Sequence, residues 1–209
     1  MLTRRDALVA LVLLAACKRR PRSGTNDGGA DGGDAGSAAG DGGADAAGDA
    51  GSNAGSGALY RSPSGGFQVR FPDGKAPEVE DKTITGGGSA VRLFKVQYGT
   101  SGYIVTYDDF AKTAGRSPQQ ILDGAREGVV ETTGGTIDSE RPLTLDVHPG
   151  LDLAVTATTS GITMRQRVRV FLVGGRLYQL IVVAPTWSGA TVVEQEFFDS
   201  FKLVNDGGP

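Results

Sequence analysis

Apolar and polar residues alternate along most of the chain after residue 58, and this period of two is typical of β-strands that bury one face. The alternation that ends before Pro72 is clear, whereas a more polar stretch over residues 78–84 predicts an edge strand. The predicted strands occupy residues 67–71, 78–84, 91–98, 103–107, 136–145, 151–158, 163–173 and 177–184. The pattern therefore predicts a domain dominated by sheet.

Two segments show instead the spacing of helices that pack on a core. Residues 117–120 (Ser-Pro-Gln-Gln) supply an N-cap serine, a proline at the first helical position and a capping-box glutamine. This helix is predicted to end near residue 132, before two glycines. A second helix is predicted to begin at Thr191, where Glu194 completes another capping box. Its apolar face is formed by Val193, Phe197 and Phe201.

Glycines separate the last four predicted strands. Gly150, Ser160-Gly161 and Gly174-Gly175 occupy the positions of tight hairpin turns, and such turns force neighbouring strands to run antiparallel. Strands, a helix, strands and a helix follow one another along the chain. This order predicts an α+β domain, a mainly antiparallel sheet flanked by helices.

Three short motifs carry a resemblance to a known fold. They read Gly-Phe-Gln-Val-Arg-Phe-Pro at residues 66–72, Gly-Gly-Arg-Leu-Tyr-Gln-Leu at 174–180 and Phe-Asp-Ser-Phe at 198–201. These motifs resemble the PsbP-like fold of photosystem extrinsic proteins, a Ran-binding import factor and many bacterial lipoproteins. The resemblance covers most of residues 58–204 and implies an α/β/α sandwich with a binding or assembly role. It supplies no catalytic residues, because that superfamily has no common active site.

The first 16 residues are typical of a secretory leader, with a pair of arginines before an apolar run over residues 7–16. This run is too short for a bilayer span, which needs about 20 apolar residues. Leu-Ala-Ala-Cys at residues 14–17 resembles the lipobox of bacterial lipoproteins. The resemblance implies cleavage before Cys17 and lipid on its thiol, and Lys18 after it favours the outer membrane. General and twin-arginine export both remain open.

Composition divides the chain into a leader (1–16), a lipidated N-terminus with a tether (17–57), a globular domain (58–204) and a short tail (205–209). Residues 24–57 contain only Gly, Ala, Ser, Asp, Asn and one Thr, so they have no side chains from which to build a core. Such a segment is expected to be a disordered tether with a root-mean-square span of about 30 Å. Its six aspartates suggest calcium binding as an alternative, but their irregular spacing favours the tether.

The charge and the chemistry-bearing residues favour neither nucleic-acid binding nor catalysis. The chain has a net charge of -3, and the domain is close to neutral without a strong basic excess. His148 is the only histidine, and it could form a hydrolase triad with Ser160 or Ser188, although no nucleophile elbow accompanies it. One histidine and one cysteine are too few for a zinc site. We therefore expect no metal, no cofactor and no enzymatic activity.

Arg165, Arg167 and Arg169 alternate with apolar residues on a predicted strand, so they project from one face of the sheet. This stripe could bind an anion or an acidic partner, because guanidinium groups suit carboxylates and phosphates. The favoured interpretation is cross-strand pairing with acids such as Asp152. If the stripe binds a partner, charge reversal at Arg167 is expected to abolish capture without lowering the melting temperature.

Taken together, these patterns predict a non-enzymatic lipoprotein, anchored to the membrane through Cys17, that binds another envelope or secreted component or supports an assembly. Two alternatives are a small-molecule carrier with a pocket between sheet and helices, and a hydrolase that uses His148. An aromatic groove is a further hypothesis, with core packing as the favoured alternative. Its residues would be Tyr98, Tyr103, Tyr107, Tyr178 and Trp187.

Overall fold

The computed structural model describes residues 59–83, 90–109, 115–159, 161–186 and 191–204. Several predictions therefore fall outside the described residues. They concern the leader, Cys17, the tether, the tail, Ser160, Trp187 and Ser188. The described residues contain no helix with the length and apolar character needed to cross a bilayer.

The described residues form ten strands, two α-helices and one 3-10 turn at Pro72–Gly74. The strands are β1 (Tyr60–Ser62), β2 (Phe67–Val69), β3 (Glu78–Thr83), β4 (Ala90–Tyr98), β5 (Ser101–Asp109), β6 (Thr136–Leu145), β7 (His148–Thr159), β8 (Ile162–Val173), β9 (Arg176–Pro185) and β10 (Lys202–Leu203). The helices are α1 (Pro118–Thr133) and α2 (Val192–Ser200).

Seven of these strands form one antiparallel sheet in the order β3-β4-β5-β9-β8-β7-β6. A second, small sheet has the order β1-β2-β10. With helices on both sides of the large sheet, this arrangement confirms the predicted α+β class and the α/β/α layering. Strands β1 and β10 are not predicted from the sequence, because strands of three and two residues are too short to show a period.

Helix α1 covers one face of the large sheet. Ser117 Oγ accepts from the backbone N–H of Gln120, whose side chain accepts from the backbone N–H of Ser117, so the predicted capping box is present. Gly134 ends the helix in the left-handed conformation. The apolar face of α1 packs mainly on β7 and β8. This core includes Ile121, Leu122, Ala125, Val129, Leu153, Val155, Val168 and Val170.

Helix α2 and the small sheet cover the opposite face through a layer of aromatic side chains. The ring centroids of Phe67 and Phe94 are 5.1 Å apart, and those of Tyr103 and Phe197 are 5.4 Å apart. Both pairs meet edge to face, which is a favourable geometry for aromatic rings. The sheet thus separates an aliphatic core on the α1 side from an aromatic core on the α2 side.

The motifs that carry the fold resemblance meet in this aromatic layer. The Tyr178 hydroxyl donates to the Gly65 carbonyl oxygen at 2.7 Å, and Arg176 Nη1 donates to the same oxygen at 2.9 Å. The rings of Phe67 and Phe201 stack with their centroids 5.6 Å apart. Together with the contact between the Tyr178 and Phe201 rings, these contacts hold the β1–β2 turn and the segment after α2 against β9.

The hairpin between β6 and β7 turns at Asp146 and Val147, so the predicted turn at Gly150 is wrong. Asp146 has a φ of 54°, a conformation that aspartate tolerates better than most residues. His148 is consequently a half-buried strand residue opposite Leu145 rather than part of an exposed loop.

Gly150 lies inside β7, where the neighbouring strand leaves no space for a side chain. A Cβ atom there would be 2.3 Å from the Val170 carbonyl oxygen. At Gly124, in the middle of α1, a Cβ atom would meet nothing within 4 Å.

Alanine at these two glycines is expected to change stability in opposite directions. Gly150→Ala should lower the free energy of unfolding by about 1–3 kcal/mol through overpacking. Gly124→Ala should raise it by about 0.5–1 kcal/mol, because alanine has the higher helix propensity. Urea unfolding followed by circular dichroism measures both changes. A neutral Gly150→Ala variant would contradict the close strand contact.

Candidate functional site

The side chains of β8 alternate between the two cores, as the sequence pattern predicts. Met164, Val168 and Val170 are buried on the α1 side. Arg165, Arg167 and Arg169 project to the α2 side, where their side chains are 20%, 25% and 14% exposed. The three arginines therefore lie beside helix α2 on a common face of the sheet.

The centre of this face is the Asp152 side chain on β7, which is only 5% exposed. The strand register places Asp152 opposite Arg141 on β6 and opposite Arg169 on β8. Arg141 Nη2 donates to Asp152 Oδ2 at 2.7 Å, and Arg167 Nη2 donates to the same oxygen at 2.9 Å. Arg167 Nε donates to Oδ1 at 3.2 Å, and Arg169 Nε lies 3.5 Å from Oδ2.

Helix α2 adds two more acids and an aromatic ring. Thr191 caps the helix by accepting from the backbone N–H of Glu194. The buried carboxylate of Glu194 accepts two hydrogen bonds from Arg165, one of them from Nη1 at 3.0 Å. Arg169 Nη1 donates to Asp199 Oδ1 at 3.2 Å.

The Phe198 ring contacts the remaining surface of two of these arginines. The Cζ atoms of Arg169 and Arg167 are 4.8 Å and 5.3 Å from the ring centroid, within the range of cation–π interactions. Planar guanidinium groups held between a carboxylate and a ring have little freedom left to lose when another ligand binds.

We call this surface the arginine face and define it by Arg141, Asp152, Arg167, Arg169 and Asp199. It holds three positive and two negative charges, so it carries a net positive charge beside the neutral pair of Arg165 and Glu194. The Arg141 side chain is 66% exposed, which leaves its guanidinium group accessible to a further acid. Arg165, Arg167 and Arg169 are predicted from the sequence, whereas Arg141 is not.

The surrounding arginines determine the protonation of Asp152. Burial alone would raise its pKa, but hydrogen bonds from Arg167 and Arg141 outweigh burial and lower the pKa below the usual range of aspartate. The carboxylate is therefore charged near neutral pH.

Asp108 on β5 is also buried, but its pKa is raised rather than lowered. It is 5% exposed on the α1 side of the sheet, and its Oδ1 atom has no hydrogen-bond partner among the residues that the structure describes. Burial and, to a smaller extent, the neighbouring carboxylate of Asp109 together raise the pKa of Asp108 to about 6. A charged Asp108 therefore destabilises the fold near neutral pH.

The other candidate residues named from the sequence do not belong to the arginine face. His148 is on β7 beside the β6–β7 turn, and both serines proposed as its partners lie outside the described residues. Tyr103, Tyr107 and Tyr178 are buried in the aromatic core, as the packing alternative predicts. Within the described ranges, no group of three or more His, Cys, Asp or Glu residues could hold a metal ion.

A cleft of about 200 Å³ lies between the 3-10 turn and α2. Both aromatic and charged side chains line it. The lining residues include Arg70, Phe71, Asp73, Tyr98, Glu196 and Phe197. Pockets for drug-sized ligands usually have volumes of about 300–1,000 Å³, so this cleft gives little support to the small-molecule carrier.

Comparison with known proteins identifies the fold. The solution structure of cyanobacterial PsbP (CyanoP) from Synechocystis matches with a TM-score of 0.51 and 12% sequence identity, covering 73% of this chain and 96% of that one. The domain therefore has a PsbP-like fold, which confirms the fold that the motifs in residues 58–204 imply.

Two further structures are more distant. A crystal structure from Bacteroides thetaiotaomicron matches with a TM-score of 0.45 and 13% identity over 73% of this chain, which spans 50% of that chain. A protein of unknown function from Pseudomonas aeruginosa matches with a TM-score of 0.38 and 10% identity, over 62% of this chain and 83% of that one. No protein-family model and no curated protein sequence matches the chain.

The two buried aspartates should respond oppositely to replacement by asparagine. Asp152→Asn is expected to lower the free energy of unfolding at pH 7.5 by about 3 kcal/mol, because the arginines lose their shared charge. This loss should shrink as the pH falls through the lowered pKa of Asp152.

Asp108→Asn is expected to raise the free energy of unfolding at pH 7.5 by about 1–3 kcal/mol.

Urea titrations from pH 7.5 down to about pH 2 measure both effects, because the lowered pKa of Asp152 lies below the usual value for aspartate. The folded state holds the proton of Asp108 more tightly than the unfolded chain, so the wild type loses stability as the pH rises from about 4 to about 6. The advantage of Asp108→Asn should therefore disappear below about pH 4. Loss of stability at pH 7.5 in Asp108→Asn would show that the charged carboxylate of Asp108 is stabilised in the folded state.

Proposed function

We propose that this chain is a non-enzymatic lipoprotein of the bacterial envelope whose PsbP-like domain binds an acidic group of another envelope or secreted protein. In this proposal the leader (1–16) is removed, Cys17 carries the lipid, and the tether holds the domain away from the membrane. The Leu-Ala-Ala-Cys motif at residues 14–17 supports the anchor. The arginine face supports the binding role.

The single observation that carries the binding role is the unequal charge of the arginine face. Asp152 is shared by three arginines, so each guanidinium group retains N–H donors that the carboxylate does not use. Such groups form paired hydrogen bonds with carboxylates. Ala154 and Thr156, beside Asp152 on β7, are only half-buried, which leaves room on the sheet for a side chain of the partner.

Arg141 is a better residue for testing this site than Arg167. Arg167→Glu would place a second acid against the buried Asp152, so it is expected to lower the melting temperature as well as any binding. This expectation replaces the one from the sequence, in which charge reversal at Arg167 leaves the melting temperature unchanged. Removal of Arg141 leaves Asp152 paired with Arg167 and Arg169.

The proposal predicts that Arg141→Gln weakens the binding of an acidic peptide by about threefold or more. The probe is a ten-residue oligoglutamate, titrated into the 15N-labelled chain while the arginine Nε–Hε signals are followed by NMR. The matched control is Arg126→Gln, because Arg126 pairs with Glu140 on the α1 side and is 41% exposed. A ten-residue oligolysine tests the sign of the charge.

The comparison requires that the wild-type chain and Arg141→Gln have the same melting temperature. Equal affinities of these two proteins for oligoglutamate would then overturn the binding role. Binding of oligolysine at the arginine face would also overturn it. Reduced affinity in Arg126→Gln alone would move the site to the other face of the sheet.

The anchor has its own test in the mass of the N-terminal fragment from native membranes. The mature chain is expected to begin at Cys17 and to carry a diacylglyceryl group and a fatty acyl chain. Cys17→Ala should leave the leader attached and remove the lipid mass. An unmodified Cys17 still joined to Ala16 in the wild-type protein would refute the lipoprotein assignment.

A further inference from the structure

The segment that precedes the domain has a charge opposite to that of the arginine face. Residues 24–57 contain six aspartates and no lysine or arginine. The aspartates are Asp27, Asp31, Asp34, Asp41, Asp45 and Asp49. Any acidic partner must therefore bind in the presence of carboxylates that belong to the same chain.

The chain enters the domain on the correct side of the sheet for these carboxylates to reach the arginine face. Tyr60 on β1 packs against Phe94 on β4 with ring centroids 5.8 Å apart, on the α2 side. Four strand steps separate β4 from β7, which carries Asp152. At about 4.8 Å per step, the lateral distance is about 19 Å.

The spacing of the aspartates along the sequence matches this distance. About ten residues separate Asp49 from the start of β1, and a glycine-rich coil of that length spans about 17 Å on average. About fifteen residues separate Asp45 from the same point, which corresponds to about 21 Å. The aspartates closest to the domain therefore have a suitable reach.

We propose that the aspartates of residues 24–57 bind the arginine face of their own domain and compete there with the acidic partner. The competition rests on the proposed function, whereas the contact between tether and domain does not. Because the tether is covalently attached, its effective concentration at the face is about millimolar, so weak contacts suffice to occupy it. A partner must then displace the tether, and only a surface with more or better-placed acids can do so.

The contact is tested by paramagnetic relaxation enhancement in the full chain without lipid. Cys17→Ser removes the native thiol, and Ser37→Cys provides one position in the tether for a nitroxide label. Enhanced relaxation is expected at the backbone amides of Asp152, Ala154 and Arg167, but not at Glu127 on α1. The enhancement should disappear when all six aspartates are replaced by asparagine, and in 1 M salt, where the screening length is about 3 Å.

The matched control replaces six tether alanines by asparagine and keeps every aspartate, and it should retain the enhancement. Those alanines are Ala30, Ala35, Ala38, Ala39, Ala44 and Ala46. Equal enhancement on both faces of the sheet, or enhancement that survives the loss of all six aspartates, would overturn the proposal.

This experiment contains no partner, so its failure is distinct from failure of the proposed function. If tether contact is present, the six-asparagine chain should also bind the oligoglutamate probe at least about twofold more tightly than the wild type, because an intramolecular competitor is removed. Unchanged oligoglutamate affinity would overturn the competition and leave the contact standing.

Discussion

The arrangement of β6, β7, β8 and α2 depends on keeping one buried charge, that of Asp152, surrounded by arginines. A carboxylate with 5% exposure is costly unless it is paired and hydrogen-bonded, and here the partners come from two strands on either side of it. A shift of register by one residue would send Arg141 or Arg169 to the other face of the sheet. The same ion pairs therefore fix the strand register and assemble the candidate site.

Strand β8 connects the ion pairs of Asp152 to the rest of the fold, because its two faces contact different layers. Its apolar side chains pack under α1, while its arginines meet acids from β7 and α2. Helix α2 is consequently held by two kinds of contact. Phe197 and Phe198 pack in the aromatic core, and Glu194 and Asp199 pair with arginines. The arginine face and helix α2 are therefore joined by the contacts of Arg169 with Asp199 and Phe198.

Much of the fold follows from sequence, because period, capping and turn signals agree along the long elements. Strand β6 is predicted with its observed limits, and α1 differs by one residue at its end. The site was predicted less completely, and the cause is the turn assigned to Gly150. A turn at residues 146 and 147 pairs residue 145 with 148 and hence Arg141 with Asp152. A correctly predicted turn would therefore have placed Arg141 beside Asp152. The contact of Glu194 with Arg165 depends instead on how α2 packs on the sheet, which no local sequence pattern predicts.

The residues that carry the fold likeness and those that form the arginine face are largely different. Residues 66–72 and 174–180 supply turns and core side chains, and only the motif at 198–201 reaches the site, through Phe198 and Asp199. A PsbP-like scaffold can therefore keep its packing while the exposed guanidinium group of Arg141 changes. Likeness of fold to a protein with 12% identity accordingly predicts the layers and the strand order but not the ligand. In the proposed function, binding specificity therefore comes from the charges of the arginine face rather than from the fold.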